Sequence, residues 1–180
     1  MVKELLAHQR VPCEYFVTKG KGESDLTVHA GSFHFALLDA GIMEFNIITY
    51  SSVLPAIAKE IEKPDNLVFG SVMETIMAVA TAEKNETATA GIIYGWLYYK
   101  KTKEKYGGIV CEYNGNLNEK EAEQELERIL DKLYEASFAE EYELKEKRTI
   151  IESFVSEKKF GTALVALCFI NYVYPLMGDD

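Results

Sequence analysis

The chain has 180 residues, 48% of them hydrophobic, which suits a single domain over residues 1–180 with a sizeable core. Its formal net charge of -10 argues against nucleic acid, whose phosphates require a basic footprint, and against an anionic membrane surface. The three cysteines, Cys13, Cys111 and Cys168, show no CxxC or Cys/His spacing, so no metal site is expected.

Free buried thiols in a reducing compartment are the simplest account of these cysteines. At the amino terminus His8, Gln9 and Arg10 interrupt any apolar leader. The longest apolar run, Ala163 to Ile170, is too short to span a bilayer. A soluble cytoplasmic protein is the expectation.

In chain order, Glu14 to Thr18 reads as a short strand ended by a loop from Lys19 to Asp25. Its two glycines, Gly20 and Gly22, lack the spacing of a phosphate-binding loop. Ser32 is positioned to cap a helix whose apolar residues Phe33, Ala36, Leu37 and Ala40 fall at i, i+3, i+4 and i+7. Gly41 is a fitting stop. A strand over 44–50 then delivers the pair Ser51-Ser52, and Pro55 prevents the ladder from simply continuing. The pair is therefore expected at a strand end, where a bent backbone exposes a carbonyl.

Segments 67–82, 88–99 and 107–113 are rich in β-branched and aromatic residues and read as strands of a largely antiparallel sheet. Lys100 to Lys105 is a charged hairpin tip. Asn118 with Glu121 makes a capping box, and Ala122, Leu126, Ile129, Leu130 and Leu133 form the apolar stripe of a long helix. Two strands over 147–156 and 162–173 close the domain. Strands and helices in this order fit α+β layering.

The run Asn46-Ile47-Ile48-Thr49-Tyr50-Ser51-Ser52-Val53-Leu54-Pro55 carries the chemistry. A serine hydroxyl can attack the carbonyl just before it and convert the peptide bond to an ester. β-Elimination then cuts the chain and leaves dehydroalanine, which hydrolyses to a pyruvoyl group. A Ser-Ser pair arises by chance about once in a chain of this size, so its context must decide. That context is four segments: Phe35 to Ile42 with Phe45 to Pro55, Gly70 to Glu74, Gly108 to Gly115, and Glu157 to Leu167. In order and spacing they resemble the pyruvoyl-dependent arginine decarboxylases, a family related to the pyruvoyl-dependent histidine decarboxylases.

The resemblance implies an αββα four-layer sandwich, assembled as a trimer or a dimer of trimers. It implies self-cleavage into a β chain of residues 1–51 and an α chain of residues 52–180, with Ser52 the precursor of a covalent pyruvoyl cofactor. Asn46 matches the family's asparagine and is assigned to the oxyanion of the cleavage step. Catalysis would run through a Schiff base between the substrate amine and the pyruvoyl ketone, the electron-sink task otherwise done by pyridoxal phosphate. Glu112 matches the family's proton donor. Glu74 is a second carboxylate candidate, with a structural or interface role equally open.

Arginine, yielding agmatine for polyamine synthesis, is the first substrate the resemblance implies. In the better-known arginine enzymes an aspartate that binds the guanidinium stands where this chain has His34. A carboxylate is what a planar guanidinium requires; Asp25 and Asp39 are the candidates to supply it, with Asp25 the first choice. Ornithine, lysine and histidine stay open as substrates, and so does an uncut, non-catalytic scaffold.

Overall fold

A computed structural model describes residues 9–175, so most of the stretch read for a leader lies outside the described residues. The strands are β1 (Val11–Ser24), β2 (Asn46–Thr49), β3 (Val53–Pro55), β4 (Lys59–Glu60), β5 (Val72–Glu83), β6 (Thr87–Tyr99), β7 (Lys105–Gly115), β8 (Tyr142–Val155) and β9 (Phe160–Val173). The helices are α1 (His34–Asp39), entered through a wide π-helical turn over Val28–Phe33, and α2 (Glu119–Ser137). The fold is α+β, with strands predominating.

One sheet has the order β2-β5-β9-β1-β4 and the other β3-β7-β6-β8. Pairing is antiparallel except at β1–β4 and β2–β5, which are parallel. The central strands β6 and β9 are covered on both faces, which explains their unbroken apolar runs.

Three hydrophobic clusters hold these elements. Ile76, Ile92, Trp96, Val110 and Leu167 pack between the sheets. Phe16, Ala36, Ala40, Leu164 and Cys168 pack α1 against the first sheet. Ile93, Leu97, Cys111, Leu126 and Leu130 pack α2 against the second. The capping box at Asn118 and Glu121 forms as expected, and Ala122, Leu126 and Leu130 are the buried part of the stripe.

Two sequence expectations are corrected. Lys19 to Ser24 is not a loop; β1 runs through it, paired with β9 from Lys19↔Val165 to Ser24↔Phe160. Gly20 and Gly22 are there because α1 lies on the strand. A Cβ at Gly22 would overlap the Ser32 carbonyl and the Ala36 amide, and one at Gly20 would overlap the Ala36 carbonyl. Ser32 does not cap a helix. It sits buried in the π-helical turn with its hydroxyl 2.8 Å from that of Thr162. Gly41 does end α1: at φ +68° it donates to the Leu38 carbonyl while the Ile42 amide donates to that of Leu37, a Schellman closure.

The two open edges of the sheet pair differ. At one, Arg148 of β8 pairs with Glu60 of β4, and the Tyr94 hydroxyl donates to the same carboxylate at 3.1 Å. At the other, the chain leaves β2 in the first sheet and enters β3 in the second. The span between them is Tyr50-Ser51-Ser52.

Candidate active site

The serine pair lies where neither sheet supports the backbone on both sides. The Tyr50 amide still donates to the Thr75 carbonyl at 2.7 Å, which anchors that end to β5. The Ser52 carbonyl accepts from the Val110 amide at 3.0 Å, which anchors the other end to β7. Between these anchors the chain crosses from one sheet to the other, a gap of about 10 Å in face-packed sheets. Ser51 is exposed and Ser52 half-buried. The expectation of a bent strand end is met, and the bend is a change of sheet.

Successive strand residues point to opposite faces. Val110 belongs to the core between the sheets, whereas Ile109 and Cys111 face α2. Glu112, two residues beyond Val110, therefore points between the sheets toward the crossover. Ser52 Oγ donates a hydrogen bond to Glu112 Oε1 at 2.5 Å. A serine hydroxyl held on a carboxylate can lose its proton as it attacks, so this pair has the geometry of a nucleophile and its base. Asn114, on the same face of β7, accepts from the Val79 amide at 2.8 Å and ties β7 to the free edge of β5. Neither its role nor the Val110 anchor was visible in the sequence, because both depend on which strands become neighbours.

Cys111 is buried on the opposite face from Glu112. Burial, with the nearby Glu112 charge, pushes its thiol up to about 11, which suits packing and not nucleophilic attack. Glu74 is buried on β5 and paired with Arg10, whose guanidinium lies 5.1 Å over the Tyr172 ring. Its second oxygen, Oε2, has no hydrogen-bond partner among the described residues. Glu74 thus joins the Arg10 end of the chain to the sheet.

The remaining sequence candidates stand elsewhere in the protomer. Asn46 begins β2, and its side chain donates to the Gly70 carbonyl at 2.7 Å. Three strand steps separate it from Thr49, about 10 Å before the crossover begins. Asp25 is exposed just beyond the end of β1 and accepts from the Lys159 amide at 3.1 Å. His34 is exposed at the start of α1, its ring 5.7 Å from that of Phe35. Ser24 pairs with Phe160 at one end of β9, while the Tyr50 ring lies tilted against that of Phe169, centroids 5.5 Å apart, toward the other. Those nine strand steps put Asp25 about 30 Å from the serine pair.

No group of His, Cys, Asp and Glu among the described residues could hold a metal ion. No helix among them is long and apolar enough to cross a membrane. Ile48 and Val53 are exposed apolar side chains on either side of the crossover, and Val68, Phe69 and Val72 are exposed where the chain enters β5 beside Asn46. Val53 also lines a shallow cavity of about 390 Å³ with Leu54, Tyr106 and Phe138.

The profile of a family described as pyruvoyl-dependent arginine decarboxylase matches residues 14–174. A protein of that name from Thermoplasma volcanium is 31% identical over 159 residues, covering 84% of this chain and 82% of its own. One from Chlamydia abortus, also named a pyruvoyl-dependent arginine decarboxylase, is 31% identical over 184 residues, covering 91% and 93%. One from Methanococcus aeolicus is 33% identical over 115 residues, covering 63% and 66%.

Proposed function

The chain belongs to the pyruvoyl-dependent arginine decarboxylase family, and on that premise we propose that it cuts itself between Ser51 and Ser52 and then converts arginine to agmatine and carbon dioxide. The hydrogen bond from Ser52 Oγ to Glu112 Oε1 carries this reading.

In self-cleavage the Glu112 carboxylate takes the Ser52 hydroxyl proton as Oγ bonds to the Ser51 carbonyl carbon. The bond from that carbon to the Ser52 nitrogen breaks, the nitrogen gains a proton, and an ester links the two residues. Loss of the Ser52 Cα proton then expels the Ser51 carboxylate and leaves dehydroalanine at position 52. Water hydrolyses this enamine, releases ammonia and leaves the ketone. The products are a β chain of residues 1–51 and an α chain of residues 52–180.

The residues present fit such a group. Its carbonyl would stand where Ser52 is half-buried beside Glu112, and the adjoining amide oxygen is already held by the Val110 amide. Bound there, a pyruvoyl group supplies an electrophilic ketone that accepts the electron pair released as carbon dioxide leaves. Glu112, freed of the Ser52 hydroxyl, delivers a proton to the former α-carbon of the substrate.

An open crossover does not exclude water, and the exposed apolar side chains around it support burial against a second copy in a trimer or a dimer of trimers. Such an assembly would let Asp25 and His34 of one copy approach the crossover of the next. There Asp25 would pair with the guanidinium. The stacking of α1, two sheets and α2 through three clusters supports an αββα sandwich as the unit that assembles.

A denaturing gel with intact-mass measurement tests the reading: two pieces, the larger beginning with a ketone-bearing residue. An intact chain with an ordinary serine at position 52 after long incubation overturns it.

A further inference from the structure

Beyond the crossover two strand edges are left without a neighbouring strand. β2 covers the edge of β5 only from Val72 to Thr75, whose carbonyl takes the Tyr50 amide, and from there the edge is open. β3 covers the edge of β7 only from Gly107 to Ile109, and the Ser52 carbonyl covers the Val110 amide next to it. Asn114 bridges the two uncovered stretches: its Oδ1 accepts from the Val79 amide at 2.8 Å. No other hydrogen bond joins β5 to β7 among the described residues. We propose that Asn114 is a positioning residue of both reactions, holding Glu112 in line with Ser52 Oγ, a role that rests on the reading of Ser52 and Glu112 given above.

Glu112 stands midway between two ties, two residues from each. On one side Val110 binds the Ser52 carbonyl, and on the other Asn114 binds the opposite sheet. Residues two apart on a strand share a face and lie about 7 Å from one another. With the Val110 tie alone, the outer half of β7 is held only through β6 and is free to twist away from β5. The second tie fixes the separation of the two sheets where the crossover spans them, and with it the direction of the Glu112 side chain. That direction matters because Ser52 Oγ and Glu112 Oε1 are 2.5 Å apart, and a misplacement of about 1 Å can cost about 10²-fold in rate. An amide is suited to this place, because it accepts the Val79 hydrogen without setting a second charge beside Glu112. Asn114 is exposed, so this bond and not core packing is what the side chain contributes.

Two substitutions in the full chain separate the bond from the bulk. Asn114→Leu keeps the volume and removes the acceptor, whereas Asn114→Asp keeps an acceptor for the Val79 amide. Asn114→Leu should be cut about 10–10²-fold more slowly, with a melting temperature close to the parent's. Its fully cut fraction should lose turnover while the Michaelis constant for arginine stays near the parent value. Asn114→Ala, which lacks the acceptor without adding an apolar side chain, should behave in the same way. Asn114→Asp should recover close to the parent cutting rate. This is read on the alkaline plateau of its pH profile, because a neighbouring carboxylate raises the pKa of Glu112 and moves the acid limb to higher pH.

Parent-like cutting and turnover by Asn114→Leu and Asn114→Ala would overturn the assignment. So would failure of Asn114→Asp to recover on the plateau, or slowing that follows the melting temperature in all three variants. A raised Michaelis constant with unchanged turnover would overturn it too, since that marks direct contact with the substrate. Each of these leaves self-cleavage standing, whereas failure of the unmodified chain to cut overturns both.

Discussion

Ser52 and Glu112 are 60 residues apart in the chain, yet a single hydrogen bond of 2.5 Å joins the serine Oγ to the glutamate Oε1. Ser52 directly precedes β3 and Glu112 lies on β7, and these two strands pair side by side at the edge of the second sheet. The face alternation of β7 then aims Glu112 at the crossover. Glu112→Gln keeps the shape and the capacity to accept a hydrogen bond but gives up proton transfer. Self-cleavage should slow, and turnover by the fully cut fraction should fall by about 10²–10⁴-fold, the usual contribution of a positioned acid or base. The two are read separately, by the ratio of cut to uncut chain and by carbon dioxide release from that fraction. Near-normal turnover of cut Glu112→Gln would assign the proton to another group.

Ser52→Ala removes only the nucleophilic oxygen. The chain should remain whole, inactive and folded, with a melting temperature close to that of the parent, because Glu112 is only half-buried and can take water in place of the hydroxyl. Any cleavage at this position in the variant would show that another group attacks the Ser51 carbonyl.

Asp25 lies about 30 Å from the serine pair in its own protomer, nine strand steps away. If it binds the guanidinium of arginine, it does so in a neighbouring copy. Asp25→Asn should raise the Michaelis constant for arginine much more than it lowers turnover, the mark of lost ground-state binding. Co-expression of Asp25→Asn with Ser52→Ala should recover arginine affinity at a fraction of the sites. Unaltered kinetics for Asp25→Asn would remove it from the site, and activity on ornithine, lysine or histidine but not arginine would correct the substrate.

Gly22 sits on β1 beneath the turn that leads into α1. Gly22→Ala would drive a Cβ into the Ser32 carbonyl and the Ala36 amide, both backbone groups that cannot rotate away. The helix must lift from the sheet, and a loss of about 1–3 kcal/mol is expected, as for other overpacked cores. Chemical denaturation would measure it. A neutral outcome would mean that α1 is not held against this strand.

Burial pushes the Cys111 thiol up to about 11 and the Cys168 thiol up to about 12, from an ordinary 9.0. Groups whose folded pKa is raised contribute stability that is complete below the unfolded value and lost as the pH climbs through the folded ones. Stability from these thiols should therefore hold up to about pH 9 and decline between there and 12. At pH 8 iodoacetamide should modify the half-buried Cys13 well before either buried thiol. Mass analysis of the labelled chain would follow this, and equal labelling of all three would contradict the packing of α1 and α2.

What could be read from residue order alone was whatever local chemistry controls. The capping box at Asn118 and Glu121, the stop at Gly41, the hairpin tip at Lys100 and the serine pair at a strand end each depend on a few neighbouring residues. The tertiary structure decided what depends on distant neighbours. A glycine that makes a loop and a glycine that lets a helix approach a strand are the same letter, so Gly20 and Gly22 were readable only once α1 was seen against β1. Asn46 was assigned by the resemblance and Asp25 by the need for a carboxylate partner, and neither ground contains the distance, about 3.3 Å for each residue of extended strand, that separates them from the serine pair in one protomer. Glu112 reaches Ser52 because sheet register brings β7 beside β3, and register is a property of the assembled sheet, not of either strand.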